Sequence, residues 1–412
     1  MFVRKGLTSV AALPISLALI AGCVLPAQGS EPFHFNLFAN YDRQWLTWNR
    51  DSLWNPGNLF SLPSDSARLF INPEARLALD NVRVRLSPYM RVDDQGGVTT
   101  GLREAFATLA LGAFEVTAGK VLMKLGTGYM FTPISVITPS KALSDPEDTL
   151  RGQEGVTMVK ADYFRESWSL SAMVFKKDNW RNAALFGYTS WKGLDIYGLL
   201  YYPEYRKLEA GLALAATVGQ GLEIHAEAMF HRRAPALVHR VFEAMDPRVS
   251  YSDWPLIQPE DRLYPELLVG TNATIKGVSV IAEYYHRDWG LSGKAWDNLK
   301  DYFAYNLAQT TDPFHSLDIG SAMTILQAGT RGLMRDYVFA RVAKNFGQTD
   351  LSGIVFANLA DLSLMSLAEL DFGLADGVAL FIRPLFFSGR AGSEFGNAFY
   401  SSMLQVGFTL AL

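Results

Sequence analysis

Apolar and polar residues alternate along most of the chain after Ser30, in stretches of about ten residues that turn residues separate. The stretch from Leu222 to His231 shows the pattern best: its even-numbered residues are all apolar, and most of its odd-numbered residues are glutamate or histidine. A helix would mix the two sets on every side, whereas a strand places them on opposite faces. The alternation therefore predicts strands with one apolar and one polar face.

Many stretches of this kind follow one another, which predicts an all-β protein. We expect about 18 strands, within a range of about 16 to 20, because strand boundaries inferred from a sequence shift by a few residues. The predicted strands are 34–48, 67–79, 82–92, 101–111, 114–125, 154–163, 168–176, 183–191, 194–202, 207–218, 222–231, 265–275, 278–287, 336–344, 351–359, 362–372, 378–387 and 401–412.

The connections between these strands alternate in length. Every second connection, beginning with 80–81, is a short turn, whereas all the long insertions fall between the other pairs of strands. This asymmetry is typical of a closed antiparallel transmembrane β-barrel, with short periplasmic turns and long extracellular loops. The long insertions are 49–66, 126–153, 232–264, 288–335 and 388–400.

The N-terminus predicts secretion, because Arg4 and Lys5 precede an apolar run that small residues follow. We predict a signal peptide over 1–29 and a mature barrel over 30–412. The alternative is a lipoprotein-type signal over 1–22 that leaves a lipidated Cys23. No other stretch reaches the roughly 20 apolar residues of a membrane helix. The predicted location is the outer membrane of a Gram-negative cell.

Composition excludes several classes of protein. The formal net charge of -4 gives no basic surface for nucleic acid, and the single cysteine allows no disulfide. No Gly-x-Ser-x-Gly motif is present, so we expect no enzyme. Glu223, His225 and Glu227 share one strand face but lie about 6.6 Å apart, too far for one strand to chelate a metal. We therefore expect neither metal nor cofactor.

The last strand alternates from Leu404 to Leu412 at the end of the sequence, which resembles the closing strand of outer-membrane barrels. The run from Gly119-Lys120 through Leu125-Gly126-Thr127-Gly128-Tyr129 to Phe131-Thr132-Pro133 resembles a strand-to-loop pattern of several outer-membrane families. The whole mature chain resembles the porin-like superfamily. This resemblance implies a channel, in which the loop after the fifth strand folds into the lumen.

The leading hypothesis is a porin-like channel for diffusion of small hydrophilic solutes, because a barrel of 16 to 18 strands encloses an aqueous lumen. The alternative is a barrel that acts as scaffold or sheath for a periplasmic or surface partner, and an outer-membrane hydrolase is a weaker third hypothesis. The expected partners are outer-membrane lipids, lipopolysaccharide and small hydrophilic solutes. Homo-oligomerisation is left open.

Charged residues on the polar faces are the candidate pore lining, because a charge costs little against water and much in an apolar core. Their pairing into a salt-bridged, plugged interior is the alternative. The candidates are Arg83, Arg85, Arg91, Glu104, Glu223, His225, Glu227, Glu283, Arg341 and Arg383.

The 126–153 loop is the candidate constriction, and its acidic residues would face the wall of Arg83, Arg85 and Arg91 and create a transverse field. A loop that lies on the outer rim is the alternative. The constriction residues are Lys141, Asp145, Glu147, Asp148 and Arg151.

The longest insertion, 288–335, places Trp296, Leu299, Phe303 and Leu307 at helical spacing. The preferred interpretation is a cap that packs on neighbouring loops. A helical lid over the pore, an external binding surface and a further hairpin are the alternatives.

Overall fold

The structure is a computed structural model that describes residues 32–138, 141–146, 148–177, 179–204, 207–232, 238–239, 256–257, 261–308 and 332–412. The predicted signal peptide and Cys23 lie outside the described residues, as does Glu147.

Eighteen antiparallel strands form one sheet, and its first strand pairs with both the second and the last, which closes the barrel. Two further two-residue strands, β12 and β13, pair with each other outside that sheet. The strands are β1 (Phe33–Trp48), β2 (Asp65–Leu79), β3 (Val82–Asp93), β4 (Val98–Leu111), β5 (Phe114–Val121), β6 (Val156–Phe164), β7 (Trp168–Lys177), β8 (Trp180–Trp191), β9 (Leu194–Pro203), β10 (Glu209–Val218), β11 (Leu222–His231), β12 (Val238–His239), β13 (Leu256–Ile257), β14 (Tyr264–Ile275), β15 (Val278–Arg287), β16 (Asp336–Asn345), β17 (Thr349–Asn358), β18 (Leu364–Ala375), β19 (Val378–Ser388) and β20 (Tyr400–Ala411).

The predicted closed antiparallel barrel is therefore confirmed, with 18 strands in the wall. Turns of two or three residues join the strands at one end of the barrel, the short-turn end. Both residues of the Lys276–Gly277 turn have positive φ, as a type I′ hairpin turn requires. The long connections all lie at the opposite, long-loop end.

Large apolar side chains cover the outer face of the wall. Val159, Val174 and Leu200, for example, expose 56%, 59% and 47% of their surface. These residues alternate with inward-facing neighbours such as Met158 and Met173, each 3% exposed. These inward-facing side chains are therefore packed inside the barrel, while the outside presents an apolar surface.

One α-helix, α1 (Gly293–Ala308), lies in the connection between β15 and β16. Its residues Trp296, Leu299 and Phe303 belong to an apolar cluster with Trp54 and Phe395 from two other long connections. The helical spacing of the 288–335 insertion is thus confirmed over this range, and residues 309–331 lie outside the described part of the chain. No helix among the described residues is long and apolar enough to cross a membrane.

Candidate functional site

The connection between β5 and β6, residues 122–155, contacts the inner face of the barrel, and we call it the inserted loop. Phe131 is 1% exposed and stacks on Tyr285 of β15, with ring centroids 4.0 Å apart and planes 2° from parallel. Ile134 is fully buried in an apolar cluster with Met229 of β11 and Met173 of β7. Apolar packing therefore joins the middle of the loop to two parts of the wall.

Two wall carboxylates accept hydrogen bonds from the backbone of the inserted loop. Glu227 accepts from the N–H groups of Thr127 at 2.5 Å, Gly128 at 2.7 Å and Ile134 at 3.2 Å. Glu283 accepts from the N–H groups of Tyr129, of Met130 at 2.9 Å and of Phe131 at 3.4 Å. Both glutamates are at most 3% exposed, so neither carboxylate faces open water.

His225 lies beside these carboxylates on β11 and is 2% exposed. Its Nε2 is 3.4 Å from Glu283, and its Nδ1 is 3.5 Å from Glu223, whose side chain is 41% exposed. Burial lowers the pKa of the Lys124 ammonium, in the loop. The negative charges of Glu227 and Glu283 act in the opposite direction and partly offset this effect. This part of the interior is a cluster of charges under the loop.

The second half of the loop reaches the opposite wall. Asp148 pairs with Arg103 of β4, and Arg151 donates to Asn72 of β2 at 3.2 Å and lies 3.7 Å from Glu74. Burial raises the pKa of Asp148 and lowers that of Arg151, despite these partners. Asp148 thus meets Arg103, where the sequence predicted the wall of Arg83, Arg85 and Arg91.

The other predicted constriction residues make contacts within the loop. Asp145 accepts hydrogen bonds from the N–H groups of Thr149 at 2.9 Å and Leu150 at 2.8 Å, which fixes a turn. Lys141 donates to the carbonyl of Tyr129 and lies 4.3 Å from the centre of its ring. Near the end of the loop, burial would raise the pKa of Glu154, but hydrogen bonds from Lys120 and Tyr89 lower it.

The predicted arginine wall on β3 lines one cavity. Arg85 bridges Glu74 at 2.8 Å and Glu104 at 3.1 Å, and Arg83 pairs with Glu115. A cavity of about 400 Å³ is lined by both arginines and by Arg76, His34, Phe106 and Lys160. Glu74 and Glu104 are 2% exposed and do not line the cavity, whose charged lining is Arg76, Arg83, Arg85, Lys160 and one carboxylate, Glu115. Arg91 lies apart from this group, 5.9 Å from the ring centre of Phe70.

A second cavity, of about 520 Å³, lies along β16 to β18. Its lining includes the predicted Arg341 and three carboxylates, Asp350, Glu369 and Asp371. Arg383 is 2% exposed; its Nε donates to Glu369 at 2.8 Å and its Nη2 to the hydroxyl of Thr149 at 2.6 Å. The lining of this cavity thus holds three carboxylates beside two cations, Arg341 and Lys344, and Arg383 is buried next to Glu369.

Glu394, in the connection between β19 and β20, forms hydrogen bonds to neighbouring segments at the long-loop end. It accepts hydrogen bonds from the N–H of Leu333, from the hydroxyl of Tyr337 at 2.9 Å and from the amide of Asn358 at 2.9 Å. Burial raises the pKa of this carboxyl to about 7. The group joins three segments that surround α1.

The sequence did not single out Arg103 or Glu74. Ser87 of β3 pairs with Glu104 and Pro88 pairs with Leu102, so Arg103 is an extra residue of β4 at this bulge. Arg103 and Glu104 are therefore both buried, with 9% and 2% exposure, although they are adjacent. Two adjacent charged residues in an alternating stretch were the available signal. No group of three His, Cys, Asp or Glu residues within the described chain is arranged to hold a metal.

No family model and no curated protein matches the sequence. Solved structures match the fold over nearly the whole chain, and two of them come from Pseudomonas aeruginosa. The crystal structure of Pseudomonas aeruginosa OccK11 (OpdR) matches with a TM-score of 0.55 and 12% identity, over 94% of this chain and 99% of that one. That of Pseudomonas aeruginosa OccK8 (OprE) matches with 0.55 and 12%, over 92% and 98%. The chain thus shares the fold of these two structures.

Proposed function

We propose that the protein is an outer-membrane channel for the diffusion of small hydrophilic solutes, with the inserted loop as its constriction. The observation that carries the proposal is a closed 18-stranded barrel whose inner wall holds charged residues on both sides of that loop. A wall of this many strands is wide enough for an aqueous lumen, whereas about eight strands are filled by their own side chains.

The outer face supports placement in a membrane. Its large apolar residues would be costly in water as one continuous surface, and they suit contact with lipid. The short-turn end and the long-loop end then correspond to the periplasmic and extracellular sides. Residues 1–29 would direct secretion, with lipidation of Cys23 as the alternative.

The two cavities support passage of charged or dipolar solutes. The lining of the β3 cavity holds four cations and one carboxylate, whereas the lining of the cavity along β16 to β18 holds three carboxylates and two cations. A solute that passes between them would experience a field across the barrel and would orient its dipole accordingly. In this proposal four arginines either contact the solute or contribute to the electric field across the barrel: Arg83, Arg85, Arg341 and Arg383.

Single-channel conductance in a planar bilayer, with a salt gradient, tests the proposal. We expect large, stable steps from the unaltered protein. Arg83 has a 60% exposed side chain at the cavity, so Arg83→Gln should shift the reversal potential towards cations. Arg43→Gln is the matched control, because Arg43 has a 49% exposed side chain paired with Asp65 and does not line the cavity. A barrel that inserts but stays silent would refute the channel.

A silent barrel would favour the scaffold hypothesis, which one observation supports. The apolar cluster around α1 fills much of the long-loop end, as a plug would. Co-purification of a partner protein with the silent barrel would then identify its function.

A further inference from the structure

We propose that Glu227 and Glu283 are positioning residues that hold the inserted loop inside the barrel and thereby set the width of the passage. The effect on transport rests on the proposed channel function. The docking of the loop itself is measurable without transport, so the two ideas can fail separately.

The geometry behind this proposal is the number of backbone donors that the two side chains satisfy. Between Thr127 and Ile134, six N–H groups donate to the two carboxylates, three to each. The hydroxyl of Thr127 adds a contact to Glu227 at 3.2 Å. This segment has no helix or strand of its own, so the wall supplies the acceptors that regular secondary structure would otherwise provide.

Burial makes these hydrogen bonds strong. A carboxylate that accepts from N–H groups forms charge-assisted bonds, and a poorly hydrated site strengthens them. The cost of burying two charges is offset only while the loop is docked, because the six donors leave with it. Release of the loop would leave both carboxylates needing water, which would have to enter the interior.

Apolar packing is the competing explanation for a docked loop. Phe131 and Ile134 are buried against the wall, and they would hold the loop without any charge. Substitution of the carboxylates separates the two explanations, because it leaves the stacking of Phe131 on Tyr285 in place and every variant is compared in the same Ile134→Cys background. Glutamine is suitable because it keeps the size of the side chain but places an amide N–H group against the loop donors.

The test uses a disulfide as a reporter of docking. A Cβ built on Gly211 would lie 2.8 Å from Cγ2 of Ile134, so Ile134→Cys with Gly211→Cys should cross-link a docked loop to β10. Cys23 is the single cysteine of the sequence, and Cys23→Ser leaves the two introduced thiols as the only ones in the chain. The reporter pair is placed in the full chain, alone and with Glu227→Gln, Glu283→Gln or both.

Each glutamine is expected to raise the ratio of released to docked loop by about 30-fold, equivalent to about 2 kcal/mol at 1.4 kcal/mol per tenfold. The yield of disulfide after a short oxidation should fall accordingly. Asp42→Asn is the matched control: Asp42 is a 3% exposed wall carboxylate bonded to Arg68 and Gln405 of the barrel. It should leave the yield unchanged.

In bilayers, the glutamine variants should conduct more than the unaltered protein while reduced, and the increase should be lost once the disulfide has formed. Equal disulfide yields in the glutamine variants and in Asp42→Asn would overturn the proposal and assign docking to the apolar contacts. If the double variant does not assemble, either single variant decides the matter, because each keeps three of the six bonds. If the glutamine variants give less disulfide but no variant conducts, the positioning role is supported and the channel is refuted.

Discussion

Glu394 should make the long-loop end sensitive to pH. The carboxyl is buried among Leu333, Tyr337 and Asn358, and its burial raises its pKa from 4.5 to about 7. When the surrounding segments separate, the carboxyl meets water and its pKa returns to the ordinary value. Glu394 therefore binds a proton more tightly when these segments are packed together, which we call the docked state of the long-loop end, than when they are separated.

The direction and the magnitude of this pH dependence follow from proton linkage. Because the pKa is raised in the docked state, the stabilisation is fully present below about pH 4.5 and is lost as pH rises to about 7. A rise of this size corresponds to about 3 kcal/mol, at 1.36 kcal/mol per unit, as an order of magnitude. Glu394→Gln resembles the protonated form and should remove this dependence, since the amide can donate to the Tyr337 hydroxyl and accept from Leu333.

Hydrogen exchange at the Leu333 amide is the direct assay, because this N–H donates to Glu394. After correction for the intrinsic rate, protection should fall by about 100-fold between pH 4.5 and pH 7, the ratio that about 3 kcal/mol implies. The same amide in Glu394→Gln should show a flat profile. Identical profiles in the two proteins would refute the reasoning, because another group would then carry the pH dependence.

Two other substitutions test the wall and the packing at the long-loop end. Gly119 has φ +133°, and an added Cβ would lie 2.2 Å from the carbonyl oxygen of Ala105, so Gly119→Ala should disrupt the β4–β5 pairing and lower the yield of heat-modifiable barrel. Gly198→Ala is its control, because no atom lies within 4 Å of the added Cβ, and normal assembly of both variants would contradict the argument. Phe303 is fully buried against Trp54, so Phe303→Ala should cost about 3–5 kcal/mol of local stability and expose α1 to protease. Unchanged resistance of α1 to cleavage would show that the packing does not hold the helix.

The wall could be predicted from the sequence because alternation reports directly on a two-sided strand. The predicted strand 222–231 coincides with β11 (Leu222–His231). The prediction of 114–125 extended too far, since β5 ends at Val121. Apolar residues continue beyond Val121 because Leu125 packs in the interior, where it is 3% exposed, and alternation does not distinguish that burial from a wall position.

The partners inside the barrel could not be predicted in the same way. Glu227 meets residues 127, 128 and 134, about a hundred positions earlier in the chain, and only the folded barrel brings them together. Inward orientation of Glu227 was predicted from periodicity, but its hydrogen-bond partners depend on the path of a loop without regular structure. Asp148 likewise pairs with Arg103 because a local shift in register turns Arg103 inward.

The inner face of β16 to β18 has two halves with different chemistry. Towards the long-loop end its inward residues are buried and apolar, and they surround α1. Towards the short-turn end, on the same three strands, they are polar or charged and line the 520 Å³ cavity. The apolar members are Phe339, Ile354, Phe356, Met365 and Leu367, and the polar members are Arg341, Asp350, Ser352, Glu369 and Asp371. Apolar side chains suit contact with a packed helix, whereas charged side chains cost little only where water reaches them. In the proposed channel, a solute path would therefore be narrower in the long-loop half, where the inserted loop and α1 contact the wall.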